Sequence, residues 1–223
     1  MSRGRKLRDV AEQSLEAFTM EGRGPVYAVP GAGGRWVVRP YRRGGMVAGP
    51  VLQDRYLRVG EPRPLREART SLEVAGRQIP TPPVLAGAVY PAGAFYRADI
   101  VTAYIPGSLD LAALVFGDPS RAGAARMRTL VEAGRLIGRM ARVGIEHADL
   151  NARNVLLAGD EQAPYALVLD LDRCRVREAG RSCEPTGMLR RLERSLRKIG
   201  AAERSPLVAA EWDALHAAVE SLD

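Results

Sequence analysis

Within eight positions, His147-Ala148-Asp149-Leu150-Asn151-Ala152-Arg153-Asn154 gathers one of the two histidines of the chain, an aspartate and two asparagines. Side chains of these types can move a proton or hold a hard cation. Downstream, VLDLD puts Asp170 and Asp172 at the end of an apolar run. Two carboxylates there are costly to bury unless they bind a cation, so Asp170 is a candidate Mg²⁺ ligand. Asp149-x₄-Asn154, followed beyond a hairpin by Asp170-x-Asp172, supplies a base, a metal-binding amide and a metal-binding carboxylate. That set is what phosphoryl transfer requires.

Such groups must be held by packed elements. A helical pattern, ARMRTLVEAGRLIGRMARVG, precedes the loop, and two strand-length apolar runs, NVLLA and YALVLDLD, follow it across a polar turn. Helices return at GMLRRLERSLRKIG and LVAAEWDALHAAVESL. Before the loop the grammar is different. A short helix through Phe18 leads to β-prone GRGPVYAV, a GAGG turn and β-prone RWVVRPY, a hairpin with glycines at both ends. PLREARTSLEVAGRQ carries Leu65, Ala68, Leu72 and Ala75 at helical spacing and meets no breaker before Gly76. PTPPVLAGAVY and AFYRADIVTAY pair as a second antiparallel hairpin. The pattern changes at Tyr104 to Ser108, where Pro106 and Gly107 punctuate the chain. The expected fold class is therefore α+β, a sheet-rich lobe with one helix over 1–104 and a helical lobe over 105–223.

The 223 residues, 46% of them hydrophobic, suffice for a real core. No apolar run approaches the roughly 18 residues of a membrane span, and the amino-terminal stretch lacks the apolar run of an export signal, so a cytosolic chain is expected. Cys174 and Cys183 have no second cysteine pair or adjacent histidine to suggest zinc, and read as reduced thiols. Thirty-three basic residues against 26 acidic ones give a formal charge of +7, which favours an anionic partner. Aromatic residues are 5% of the chain and do not interleave with the arginines. Base-stacking platforms are therefore not expected, and nucleic acid is not an expected partner.

The loop and the later aspartate resemble the protein-kinase catalytic loop HRDxxxxN and its DFG aspartate, here DLD. The resemblance implies that Asp149 is the catalytic base, that Asn154 and Asp170 hold Mg²⁺, and that His147 braces the loop by hydrogen bonding toward the metal-binding strand. RWVVR lies where kinases carry VAIK, so Arg39 takes the place of the phosphate-pairing lysine and Glu67 that of its helix partner. Gly22 and Gly24 of GRG form an abbreviated phosphate-covering loop, in which glycine lets backbone amides approach phosphate oxygens. ATP with Mg²⁺ is the implied nucleotide.

A narrower resemblance runs from about Gly22 to Lys198. RPYRRGGMVAG, QDRYLRVGEPRPLREARTSLEVAGRQIPTPPVLAG, FYRADIVTAYIPGSLDLA, HADLNARNVLL, LDLDRCRVR and LRRLERSLRK occur in the order expected of the 3-deoxy-D-manno-octulosonic acid (Kdo) kinase family. Membership would imply a protein-kinase-like, two-lobed fold and phosphorylation of the 4-hydroxyl of Kdo on a lipid A precursor. It would also imply a Gram-negative envelope enzyme, peripheral on the cytoplasmic face of the inner membrane. The family carries arginine at the strand position, whereas the leucine of VLDLD replaces its usual phenylalanine. Arg42 and Arg43 are candidates for contacting the anionic acceptor, or for a solvated turn. Leu189, Leu192, Leu196 and Ile199, ringed by Arg190, Arg191, Arg194, Arg197 and Lys198, either face an anionic membrane or bury their leucines in the lobe core. Heptose kinases and aminoglycoside-type kinases share the loop constellation, and a non-catalytic binding module is the reading from a different class.

Overall fold

The computed structural model describes residues 6–14, 16–20, 26–42, 54–118, 123–160 and 162–221. Their contacts form two compact units, the described residues of Met1–Ser71 with Pro82–Tyr104, and those of Leu72–Thr81 with Ile105–Asp223. The segment Leu72–Thr81 therefore differs from the division read in the sequence. It joins the second unit because Val74 and Ile79 are buried in that unit's core and the Val168 N–H donates to the Pro80 carbonyl at 2.9 Å.

The first unit contains α1 (Leu7–Glu12), β1 (Phe18–Met20), β2 (Val26–Gly31), β3 (Gly34–Pro40), β4 (Tyr56–Leu57), the start of α2 (Arg63–Gly76), β5 (Val84–Ala92) and β6 (Phe95–Ala103). All its pairings are antiparallel. They run β1-β2-β3-β6, with β4 and β5 also paired to β6. The GAGG turn closes the β2–β3 hairpin. Gly33 has φ +77°, and a Cβ on Gly31 would sit 2.3 Å from the Trp36 indole, so both positions require glycine. Helix α1 stops at Glu12 instead of running to Phe18, because Phe18–Met20 pair in register with Ala28, Tyr27 and Val26.

The pleat of β3 decides which face each side chain serves. Val38 packs with Ala11 of α1 and Val101 of β6, so its neighbour Arg39 must project to the opposite face. On the α1 side, the fully buried Asp99 is neutralised by Arg8, with Nε at 2.8 Å from Oδ1 and the Arg8 N–H at 3.1 Å from Oδ2. The Tyr90 hydroxyl donates to the same carboxylate at 3.0 Å and accepts from the Leu7 N–H at 2.7 Å. Burial and the adjacent Asp99 charge push the Tyr90 pKa up to about 12, so it remains a donor.

Helix α2 forms where its sequence pattern predicts, but it buries a different stripe. Pro64, Glu67, Ser71 and Val74 face inward, while Leu65 and Leu72 are 56% and 76% exposed. The helix is rotated so that a carboxylate, not the leucines, points at the sheet. That carboxylate has partners waiting, described below.

The second unit adds β7 (Leu109–Asp110), α3 (Leu111–Phe116), α4 (Ala124–Arg142), β8 (Ile145–His147), β9 (Val155–Gly159), β10 (Pro164–Val168), β11 (Cys174–Val176), α5 (Thr186–Ala202) and α6 (Ala209–Glu220). Two small antiparallel sheets, β10-β9-β7 and β11-β8, lie on the helical core. Leu130, Leu136, Ile137 and Met140 of α4 are fully buried. Helix α5 commits Met188, Leu192 and Leu196 to the same core, with Leu189 and Ile199 packed at its margin. Its basic residues Arg190, Arg194, Arg197 and Lys198 are exposed. The apolar stripe read in the sequence is thus a core stripe.

Helices α4 and α6 approach closely enough that a Cβ on Gly134 would lie 2.5 Å from the Leu215 carbonyl oxygen and 2.8 Å from the Ala218 Cβ. Overpacking of this kind costs about 1–3 kcal/mol, whereas replacing a mid-helix glycine gains about 1 kcal/mol of propensity. The clash involves backbone and should win. Gly134→Ala is expected to lower the melting temperature by a few degrees in thermal melts. Gly76→Ala, whose Cβ would meet nothing within 4 Å, should not.

Candidate active site

The loop between β8 and β9 is organised around His147, which is fully buried. Its Nδ1 lies 3.1 Å from the Asp149 N–H and its Nε2 2.9 Å from the Leu169 carbonyl oxygen. An amide can only donate and a carbonyl can only accept. The ring must therefore be the neutral tautomer with its proton on Nε2. Burial lowers the imidazole pKa, against the Leu169 carbonyl and the charges of Asp170, Asp149 and Asp172, which raise it. The brace expected toward the metal-binding strand is present. It ends on Leu169, one residue before Asp170.

Asp149 is held by its backbone and left open at its side chain. Its carbonyl oxygen accepts from Asn151 Nδ2 and from Asn154 Nδ2, each at 3.0 Å, while its carboxylate is 43% exposed. Asn151 also caps the 3₁₀ turn Ala152–Asn154 by accepting from the Arg153 N–H at 3.0 Å. Asn154 spends its amide nitrogen on the loop, which leaves Oδ1, the atom a cation would use. Its carbonyl takes the Leu169 N–H at 2.9 Å, tying this turn to the approach to Asp170.

Strand β10 ends at Val168, so Asp170 stands beyond the strand instead of within it. Asp170 has φ +62° and ψ 55°, a left-handed conformation that a non-glycine side chain adopts at some cost. The 3₁₀ turn Leu171–Arg173 follows, with Leu171 and Asp172 buried. The leucine that departs from the family's phenylalanine is therefore a packed residue. Among the described residues, no group of three or more His, Cys, Asp or Glu side chains is placed to hold a metal by itself. One carboxylate and one amide oxygen suit Mg²⁺, which takes one or two protein oxygens and completes its shell with phosphate and water.

In the first unit, the Arg39 Nη2 lies 2.7 Å from Glu67 Oε1. Glu67 is buried, and its second oxygen accepts from the hydroxyl of the buried Tyr41. The Arg39 guanidinium stands 5.3 Å from the centre of the Tyr41 ring. Tyr41 extends the β3 pairing through its N–H to the Ala98 carbonyl at 2.9 Å, so it shares a pleat face with Arg39 two residues earlier. That i, i+2 relation was the signal available in the sequence. Ser195 of α5 was also missed. Its Oγ accepts the Ala152 N–H at 3.1 Å and fixes the loop to the helical core. Arg42 is exposed. Gly22, Gly24 and Arg43 lie outside the described residues.

Comparison with known proteins follows the same lines. The family model described as "Lipopolysaccharide kinase (Kdo/WaaP) family" matches residues 10–218. A 3-deoxy-D-manno-octulosonic acid kinase of Xylella fastidiosa (strain 9a5c) is 36% identical over 185 residues, 82% of this chain and 70% of that one. One of Xanthomonas campestris pv. campestris (strain B100) is 34% identical over 201 residues, 89% of this chain and 76% of the relative. Among solved structures, "WaaP in complex with acyl carrier protein" superposes with a TM-score of 0.58 at 18% identity, covering 97% of this chain and 83% of that one. The fold is thus protein-kinase-like.

Two outcomes follow from the geometry. The folded pKa of His147 lies below its ordinary value of 6.5. Below that pH the unfolded chain takes a proton that the folded chain refuses. The stability this residue contributes is therefore complete above pH 6.5 and falls as the pH drops, by up to about 1 kcal/mol between about pH 6.5 and 5.5. Denaturant titrations of wild type and His147→Gln should show the wild-type advantage shrinking over that range. A constant difference would refute the neutral brace. For the clamp, Arg39→Lys and Glu67→Gln should each reduce turnover. Their double mutant should lose less than the sum by a coupling of about 0.5–3 kcal/mol, and Tyr41→Phe should reproduce part of the Glu67→Gln loss. Steady-state kinetics of the four variants, compared with wild type, decides this.

Proposed function

The chain belongs to the lipopolysaccharide kinase (Kdo/WaaP) family, and from that membership we propose that it transfers the γ-phosphoryl group of ATP, with Mg²⁺, to the 4-hydroxyl of Kdo on a Kdo-lipid A precursor. It is a phosphotransferase with an alcohol acceptor. The observation that carries the finer reading is the state of Asp149. Its backbone is fixed by two asparagine amides and by His147, while its carboxylate is open to an acceptor.

In this reading the acceptor hydroxyl donates to Asp149 and passes it a proton as the acceptor oxygen bonds to the γ-phosphorus. The bond from that phosphorus to the bridging oxygen breaks, and ADP departs with the electron pair. Arg39, held by Glu67 and Tyr41, offers a fixed guanidinium for nucleotide phosphate oxygens. Asn154 Oδ1 and the Asp170 carboxylate are the oxygens that would hold Mg²⁺. When bound, that ion neutralises charge on the phosphates. Gly22 and Gly24 keep the role of covering phosphates.

The site of action in this reading is the cytoplasmic face of the inner membrane. Support comes from the net charge of +7 and from the exposed Arg190, Arg194 and Lys198 of α5, which suit an anionic surface. Because Leu192 and Leu196 are fully buried, adhesion by α5 would be electrostatic and not by insertion. No described helix is long and apolar enough to cross a membrane. Arg42 and Arg43 remain assigned to anionic groups of the acceptor.

Mass spectrometry of Kdo-lipid A precursor after incubation with the protein and Mg·ATP should show a gain of one phosphate, placed on the 4-hydroxyl by fragmentation. Phosphorylation only of a heptosylated core would reassign the acceptor. Asp149→Asn should lower turnover by about 10²–10⁴ while Mg·ATP binding, followed by calorimetry, stays close to wild type. Unchanged turnover would remove Asp149 from the role of base.

A further inference from the structure

Arg173 is the one exposed residue of the 3₁₀ turn that follows Asp170. Leu171 and Asp172 are buried at 2% and 5% exposure, whereas the Arg173 side chain is 59% exposed. The next residue, Cys174, opens β11 and pairs in register with His147. The backbone of Arg173 is thus set between a buried turn and β11, the partner of the strand that leads into the loop of the base. Its Nη1 lies 4.0 Å from Asp149 Oδ2. Among the described residues it is the only cationic side chain within ion-pair distance of that carboxylate.

An ion pair this open and this long holds little free energy, about 0–1 kcal/mol, and a second carboxylate can displace it. A guanidinium can instead take both oxygens of an incoming carboxylate in a planar fork, which is shorter and stronger. Two anions come to Asp149 in the proposed reaction, the γ-phosphoryl group and the acceptor. Arg39 and Mg²⁺ are assigned to the first, which leaves an anion of the acceptor to Arg173.

We propose that Arg173 reads the acceptor: it binds the carboxylate of an acidic sugar whose hydroxyl is presented to Asp149, and so selects acidic over neutral sugars. This deepens the reading of Asp149 as base and rests on it. The sugar acid in the name of the similar kinases carries one such carboxylate. On binding, Arg173 exchanges Asp149 for the substrate anion and leaves the base to the hydroxyl. Arg173 touches the substrate but takes no proton.

The test compares two acceptors, Kdo-lipid A precursor and the same molecule with the Kdo carboxylate converted to its methyl ester. Wild type should favour the free acid in kcat/KM by about tenfold or more, the equivalent of one charge-assisted hydrogen bond. Arg173→Gln should lose at least that factor on the acid, bring the acid-to-ester ratio near one, and leave KM for ATP unchanged. Arg173→Lys should recover part of the preference, because it restores the charge without the fork. A wild-type ratio retained in Arg173→Gln would overturn the assignment, as would a rise confined to KM for ATP. If Arg173→Gln behaves as expected but Asp149→Asn keeps full turnover, carboxylate reading by Arg173 stands and the base reading fails. If wild type phosphorylates neither acceptor, the acceptor reading fails and this proposal with it.

Discussion

A neutral imidazole has one donor and one acceptor, and the loop that carries Asp149 is organised by that asymmetry. Buried where protonation is disfavoured, His147 can satisfy an amide on one side and a carbonyl on the other. No other uncharged side chain of that size offers a rigid ring with the two functions at fixed separation. One end fixes the backbone of Asp149, the proposed base, and the other fixes Leu169, one residue before Asp170, the proposed cation ligand. The asparagines, the 3₁₀ turn and Ser195 then refine a geometry the ring has already established.

The first unit shows the same priority of a polar requirement over apolar pattern. Turning Leu65 and Leu72 inward would bury more hydrocarbon, at about 25 cal/mol per Å² of apolar surface removed from water. It would also carry Glu67 off the face where it meets Arg39 and Tyr41. A buried carboxylate stripped of its partners costs several kcal/mol, and it gains two partners as the helix actually sits. Arginine suits this place because its planar guanidinium holds Glu67 in an orientation that the compact ammonium of a lysine would not fix.

The local setting of the candidate residues was legible in the chain. Asp149, Asn154 and Asp170 were visible because their spacing is set by local structure, a short loop and a two-strand hairpin, and local structure is what periodicity and turn residues report. The hairpins around GAGG and before Tyr104 were legible for the same reason. The rotation of α2 was not, since it depends on a residue 28 positions away that a helical window does not include. The helix projected through Phe18 failed because pairing with β2 decided those residues. Tyr41 and Ser195 read as an ordinary strand-end aromatic and an ordinary helix serine until the tertiary fold showed which acceptor or donor each meets. The segment 72–81 changed unit for a related reason, as Val74 and Ile79 find their apolar neighbours far along the chain.

The left-handed backbone at Asp170 bears on how this chain could change over generations. Aspartate, asparagine and glycine are the residues that occupy such a conformation at least cost. Asparagine and glycine are also each one nucleotide away from an aspartate codon. Either substitution would remove the carboxylate while keeping a residue that tolerates this backbone conformation. A descendant of this form is therefore one step in the code from a chain that lacks the carboxylate proposed to hold Mg²⁺ and still accommodates the left-handed turn. Alanine or valine, equally near in the code, would disturb the turn as well as the chemistry, and selection on folding would remove them first.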